Sequence, residues 1–270
     1  MKDILVHVDS SERSRLRVEV AANLARQFGA RLTGLFAQVD SHRPAATARM
    51  ASDGLKQAAD TASQMFAEVT EGSGLATQWW QLPHGEPGFV SAETMFCARY
   101  FDLVVMGQHE AGSTQPDDLA EQTVLNCGRP VLVLPYVGTF RHVGSRAVVA
   151  WNAGREATRA IHDAMPLLVA AKEVTVLSMR ARQDDETGRI GQLPPINIMD
   201  HLAQQGVNAQ GEFLPDEDIG KMDMLLSRSF DLGADLLVMG AHGQYGLARL
   251  RGSGTRYVLK HMTLPVLMSH

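Results

Sequence analysis

The sequence predicts an α/β protein made of two tandem doubly wound domains, each a parallel sheet with helices on both faces. Three observations carry that prediction. Leu236 to Met239 is a continuous apolar run bounded by glycine and too short for a helix, as a strand buried on both faces reads. Runs of this kind alternate with segments of helical periodicity, which implies right-handed crossovers and parallel strands. The chain also contains itself twice: Asp102 to His109 matches Asp235 to His242, Pro130 to Pro135 matches the segment Pro265 to Met268, and Ile4 to Asp9 matches Ala147 to Asn152. A repeat of this length is a duplicated domain, since each copy can bury a core of its own. The expected domains are residues 1–138 and 145–270.

In the first copy, Ile4 to Val8 is strand one, and Asp9, Ser10 or Ser11 can cap the next helix. That helix shows Leu16, Val20, Leu24 and Phe28 at helical spacing and ends at Gly29, a good residue for a left-handed C-terminal cap. Arg31 to Ala37 is strand two, Asp40 to Arg49 a polar loop, and Leu55 to Val69 the apolar face of a helix. Thr77 to Leu82 is strand three, Glu86 to Arg99 a helix, and Asp102 to Met106 strand four. Gln115 to Cys127 and Pro130 to Leu134 are the last helix and strand. After a link from Val137 to Ser145, the second copy repeats the order. Its strands are Val148 to Trp151, Val174 to Met179, Ala209 to Leu214, Leu236 to Met239 and Leu264 to Met268. Its helices are Glu156 to Ala171, Ile198 to Gln205, Ile219 to Leu232 and Arg256 to His261, with an acidic, proline-containing loop from Arg180 to Pro195.

Of the 270 residues, 45% are hydrophobic and 20% charged, a globular balance, and no apolar run approaches a bilayer-spanning length. The opening MKDILVHVDS reads as a charged start to a strand and not as a signal peptide, so a cytoplasmic location is expected. Cys97 and Cys127 fall in helical segments and read as free thiols. The net charge of −5 belongs to the first half: residues 1–140 hold sixteen carboxylates against eleven Lys and Arg, and residues 141–270 hold fourteen of each. No basic face stands out, which argues against nucleic-acid binding, and nothing is long or amphipathic enough to anchor the chain to a membrane.

The stretch from Asp235 to Thr255 carries the strongest chemical signal. After its strand the chain turns at Gly240 and Gly243, passes Gly246, and leads through Gly252, Ser253, Gly254 and Thr255 into a helix. Glycines let backbone N–H groups approach a ligand, and a helix N-terminus adds unpaired donors and a positive dipole end. Gly240 to Lys260 holds Arg249, Arg251, Arg256 and Lys260 and no carboxylate. A glycine-rich surface loop is the plainer reading; the combination of strand, double-glycine turn, helix start and basic charge favours a phosphate site.

Gly240-x2-Gly243, then Gly252-Ser253, set between a Val-Met-Gly strand and a helix followed by a Pro-Val-Leu strand, resembles the universal stress protein family. The opening of the second copy, Trp151 to Ala157, is similar to that family's first segment, and the resemblance covers the chain as a tandem pair. It implies five-stranded flavodoxin-like (Rossmann-like) domains pairing through their last strands, a role in stress responses, and ATP as the ligand of members that keep the loop, with Mg²⁺ as its companion. Carried over residue by residue, the site comprises Asn152, Leu177, Met239, Gly240, His242, Gly243, Gly252, Ser253, Gly254 and Thr255. Asn152 and the backbone near Leu177 would face ribose and adenine, and the rest would surround the phosphates. Two departures stand out: eight residues separate Gly243 from Gly252 where the family pattern has nine, and Asn152 replaces the Asp of ATP binders. An amide adds no negative charge and serves Mg²⁺ poorly.

The first copy is the reverse. Asp9 is present, but Glu110 stands where the second glycine belongs, and Gly107 to Gly128 holds Glu110, Asp117, Asp118 and Glu121 with no Lys or Arg. This half is not expected to hold ATP. His7, Asp9 and His109 could converge on a metal, although a capping Asp with partly exposed histidines is the reading preferred; Asp184 to Glu186 reads as a solvated charge run. Trp79 and Trp80 are adjacent on a strand and point to opposite faces, one to the core and one to an interface. No nucleophile elbow or Walker loop is present. The expected function is a nucleotide-binding signalling module with no catalytic residue, a homodimer and an unidentified protein being further partners. An interaction protein without nucleotide and a weak ATPase are the alternatives.

Overall fold

The computed structural model describes residues 1–40, 50–178, 197–214, 220–242 and 253–270. The chain divides into two compact units, Met1–His142 and Val143–His270. The first contains β1 (Asp3–Val8), α1 (Arg13–Phe28), β2 (Arg31–Phe36), α2 (Asp53–Thr70), β3 (Thr77–Gln81), α3 (Pro87–Ala98), β4 (Leu103–Gly107), α4 (Leu119–Asn126) and β5 (Val131–Leu134). The second contains β6 (Arg146–Trp151), α5 (Arg155–Ala170), β7 (Glu173–Ser178), α6 (Ile198–Gln204), β8 (Ala209–Phe213), α7 (Lys221–Asp231), β9 (Leu236–Gly240), α8 (Ser253–His261) and β10 (Val266–Ser269). Neither the Arg180 to Pro195 loop nor Asp184 to Glu186 falls among the described residues, and of the Asp40 to Arg49 loop only Asp40 does.

Within the first unit the parallel strands run β3-β2-β1-β4-β5, and within the second β10-β9-β6-β7-β8. This is the Rossmann-like winding expected from the sequence. It places the switch point between β1 and β4 in one unit and between β6 and β9 in the other. Ile4 pairs with Leu103 and Ala147 with Leu236, so the two switch points share one register. The central strands are buried along nearly all their length, and apolar but for Asp3 and His7 of β1, because helices cover both faces.

Local chemistry explains most element ends. Gly29 closes α1 in the left-handed region at φ 59°. Asp102, expected as the first residue of strand four, stands just before β4, as its repeat Asp235 stands just before β9. Asp102 accepts from the backbone N–H groups of Lys2 and Asp3, and Asp235 from those of Gly144, Ser145 and Arg146. The repeated aspartate thus clamps the start of the neighbouring strand, at the end of the sheet away from the switch-point loops. α4 is shorter than the periodicity suggested, because Pro116 to Asp118 form a turn ahead of it.

Trp79 and Trp80 do lie on opposite faces, but both are half-buried. Trp79 packs on Phe66 and Trp80 on Phe101, with ring centroids 5.4 and 5.5 Å apart. Cys97 and Cys127 are free, and burial raises both thiol pKa values above the ordinary range. Among the described residues no helix is long and apolar enough to cross a membrane.

Candidate functional site

The second unit's switch point is built from the end of β6, the end of β9 and the start of α8. Asn152 follows β6, and its Oδ1 accepts from the N–H of Gly154 at 2.9 Å. That turn, with Ala153 at φ 58°, delivers the chain into α5. The side-chain oxygen is therefore turned onto its own backbone, and the amide NH₂ is the group Asn152 has for a ligand.

Leu177 is fully buried, and it is paired with Ala150 on one side and Glu212 on the other. It belongs to the core. Met239 is also buried. A Cβ built on Gly240 would overlap the backbone of Glu156 and lie 2.5 Å from the nitrogen of Ala157. Glycine is required there because α5 presses its first turn against the end of β9, a packing reason and not a ligand one.

Beyond Gly240 the chain is pinned twice. Ala241 N–H donates to Ser269 O at 2.8 Å, and His242, at φ 55°, donates its N–H to Oγ1 of Thr255 at 2.8 Å. Thr255 is 2% exposed and lies in the first turn of α8, so the bond ties the end of β9 to the start of the helix. His270 donates from Nδ1 to Ala241 O at 3.0 Å, and its ring meets that of His242 edge-on at 6.3 Å. Gly254 packs against Met222, with a built Cβ 3.3 Å from its sulfur. Ser253 opens α8. Gly243 and Gly252 lie outside the described residues. The structure therefore brings together Met239, Gly240, His242, Gly254 and Thr255, with Asn152 just after the neighbouring strand β6. It gives Thr255 a positioning bond.

The first unit keeps the glycine and histidine that follow its fourth strand, Gly107 and His109, but differs in the residues around them. Asp9 is 2% exposed and Arg17 3%, and Arg17 Nη2 lies 2.9 Å from Asp9 Oδ1. Ser14 Oγ and Ser11 donate to the same carboxylate oxygen. Asp9 is not the helix cap that its position suggested: Glu12 occupies the cap position with no side-chain bond, while Asp9 is claimed by a buried arginine. Burial would raise its pKa, but Arg17 and the serine hydroxyls outweigh that and hold it well below the carboxylate range.

His7 is likewise no exposed histidine. It is fully buried, donates from Nε2 to Ala37 O at 2.7 Å, and burial lowers its pKa to about 4. No group of metal-binding side chains gathers among the described residues. A Cβ on Gly107 would overlap Nη1 of Arg17, so this arginine fills the space at the end of β4. Arg17 is the residue the sequence reading missed. Its signal was available: an arginine in line with Val20, Ala21 and Leu24 on the apolar face of the helix, at the position held by Ala160 in the repeat.

Residues 223–270 match the sequence model of the universal stress protein family. A universal stress protein from Archaeoglobus fulgidus superposes over 99% of this chain and 95% of its own, with a TM-score of 0.72 and 15% identity. Shorter structures match about one half of the chain. One is a second A. fulgidus universal stress protein, solved in complex with dAMP (18% identity, 49% of this chain and 97% of that one, TM-score 0.37). Another is universal stress protein UspA from Lactobacillus plantarum (17% identity, 47% and 99%, TM-score 0.35). A search of curated proteins gives no match. The fold over the whole length is that of a tandem universal stress protein, and the segment from α7 to β10 carries the family's sequence pattern.

Proposed function

We propose that this chain, with the fold of a tandem universal stress protein along its length and that family's pattern in its last segment, is a nucleotide-binding stress-response module holding one ATP in its second unit. The observation that carries the reading is the bond from His242 N–H to Thr255 Oγ1. It draws the two ends of the glycine-rich, basic segment together beside the β6–β9 switch point, where parallel sheets receive ligands. The first turn of α8 then offers backbone donors to the phosphates. Asn152 offers an amide to the ribose or base, and its lack of charge makes binding less dependent on Mg²⁺ than an aspartate would. Nothing in the reading asks for turnover.

Calorimetric titration of ATP into wild type, Gly243→Val and Glu110→Gln tests it. The expected result is a stoichiometry near one, loss of binding in Gly243→Val, and wild-type binding in Glu110→Gln, which alters only the first unit. Absence of binding by wild type, or binding unaffected by Gly243→Val, overturns the proposal.

A further inference from the structure

The first unit has a cleft of its own at the β1–β4 switch point, of about 570 Å³. Its walls are the turn after β1 (Ser10 to Arg13) and the segment after β4 (Glu110 to Thr114), with Tyr136 at one side. A chamber of about 10 Å³ shares Ser11, Arg13, Glu110, Ser113 and Tyr136 with it and is completed by Gln115 among others. Gln115 is 5% exposed; its Nε2 donates to Gln108 O at 3.2 Å, while Oε1 has no partner among the described residues. Arg13 donates from Nη2 to Gly138 O at 2.8 Å, and its buried Nε is likewise unpartnered. A buried polar atom without a partner is unfavourable, so this inner wall is built for something that both donates and accepts. The chamber has room for one water or for one hydroxyl group of a ligand, and the cleft it adjoins is the size of a small-molecule site.

The lining decides the chemistry. Glu12 and Glu110 face one arginine that is already tethered, and Arg17 beneath is neutralised by Asp9, so an anion is disfavoured. The remaining polar groups are hydroxyls, those of Ser10, Ser11, Ser113, Thr114 and Tyr136. Carboxylates accept from neighbouring hydroxyls of a polyol, and the Tyr136 ring, in a residue 40% exposed, offers an apolar face to sugar C–H groups. We propose that the first unit binds an uncharged polyhydroxylated molecule, a sugar or sugar-like polyol, through Gln115 Oε1, Arg13 Nε, Glu110 and Tyr136. This site is independent of the ATP site proposed for the other unit.

The test is amide NMR of the full chain titrated with D-ribose, D-glucose and sorbitol at millimolar concentration, with ATP and spermidine as charged comparisons. At least one of the three uncharged compounds should shift the amides of Ser10 to Arg13 and Glu110 to Thr114. Gln115→Leu and Tyr136→Ala should each weaken that binding about tenfold or more, the size of one lost hydrogen bond or stacking contact in a buried site. Ser113→Ala, a milder change, provides the same readout if Gln115→Leu perturbs the fold. The proposal is overturned if none of the three shifts these amides, if the variants bind as well as wild type, or if ATP or spermidine binds more tightly at the same amides.

Discussion

The two units place opposite chemistry at equivalent points of one scaffold. The shared register of β1–β4 and β6–β9 aligns His7 with Ala150, Asp9 with Asn152 and Arg17 with Ala160. In the first unit these positions form a buried polar cluster under the switch point; in the second they are two alanines and an amide. The glycine at the end of strand four is retained in both for different reasons. Gly107 makes room for the Arg17 guanidinium, and Gly240 makes room for the α5 backbone, which comes closer where no arginine intervenes. A duplicated fold therefore keeps its glycine while exchanging what fills the space above it. An Asp and an Arg must leave together, because either charge alone would remain buried without a counterion.

The largest effect expected from breaking this contrast is in Arg17→Ala, which strands the Asp9 carboxylate. It should destabilise the first unit by about 3–5 kcal/mol, the usual consequence of removing one partner of a buried pair. Asp9→Asn added to Arg17→Ala, which copies the second unit, should recover much of that loss. Urea denaturation followed by hydrogen exchange of β1 amides measures both. A double variant no more stable than the single one would show that the pair is not the coupled unit described here.

Acid should separate the units next. His7 is neutral in the fold, its pKa lowered from 6.5 to about 4 chiefly by burial. The unfolded chain takes up this proton first, so the stability His7 contributes is complete above pH 6.5 and is lost as pH falls towards 4. The loss is about 3 kcal/mol at 1.36 kcal/mol per pH unit. Asp9, held below its ordinary value, adds a further loss only below the normal carboxylate range, in the same direction. Ala150 gives the second unit no counterpart. Urea midpoints at pH 7 and pH 4.5, read through Trp79 and Trp80 for one unit and Trp151 for the other, should fall much further for the first. Equal shifts would contradict the burial of His7.

A finer test uses the two glycines. Gly107→Ala and Gly240→Ala should each destabilise by about 1–3 kcal/mol through overpacking. In the Asp9→Asn, Arg17→Ala background Gly107→Ala should become nearly neutral, since the overlapping guanidinium is gone. No side-chain substitution should rescue Gly240→Ala, whose Cβ meets backbone. The smallest effect belongs to the exposed ion pairs that the repeat has reversed, Asp3 with Arg31 in the first unit and Arg146 with Glu173 in the second. Asp3→Asn should lower the stability read from the urea midpoint by no more than about 1 kcal/mol, as surface pairs add little even when two hydrogen bonds join them.

The sequence by itself determined the alternation of strands and helices, the duplication, the left-handed end of α1 at Gly29 and the basic, glycine-rich segment after β9. Each of these is local: periodicity, a backbone conformation or a run of charge is written in neighbouring residues. It also showed that Asp9 and Asn152 differ, but it gave Asp9 the role of a helix cap. Only the tertiary structure decided that Asp9 belongs to Arg17, that His7 is buried and neutral, that Leu177 is core, and that Thr255 ties His242 to α8. Those assignments depend on which side chains share a dry environment after the sheet has closed. Residues eight or thirteen positions apart become partners only once helix and strand are packed, and an acid or a histidine changes character when water is taken from it.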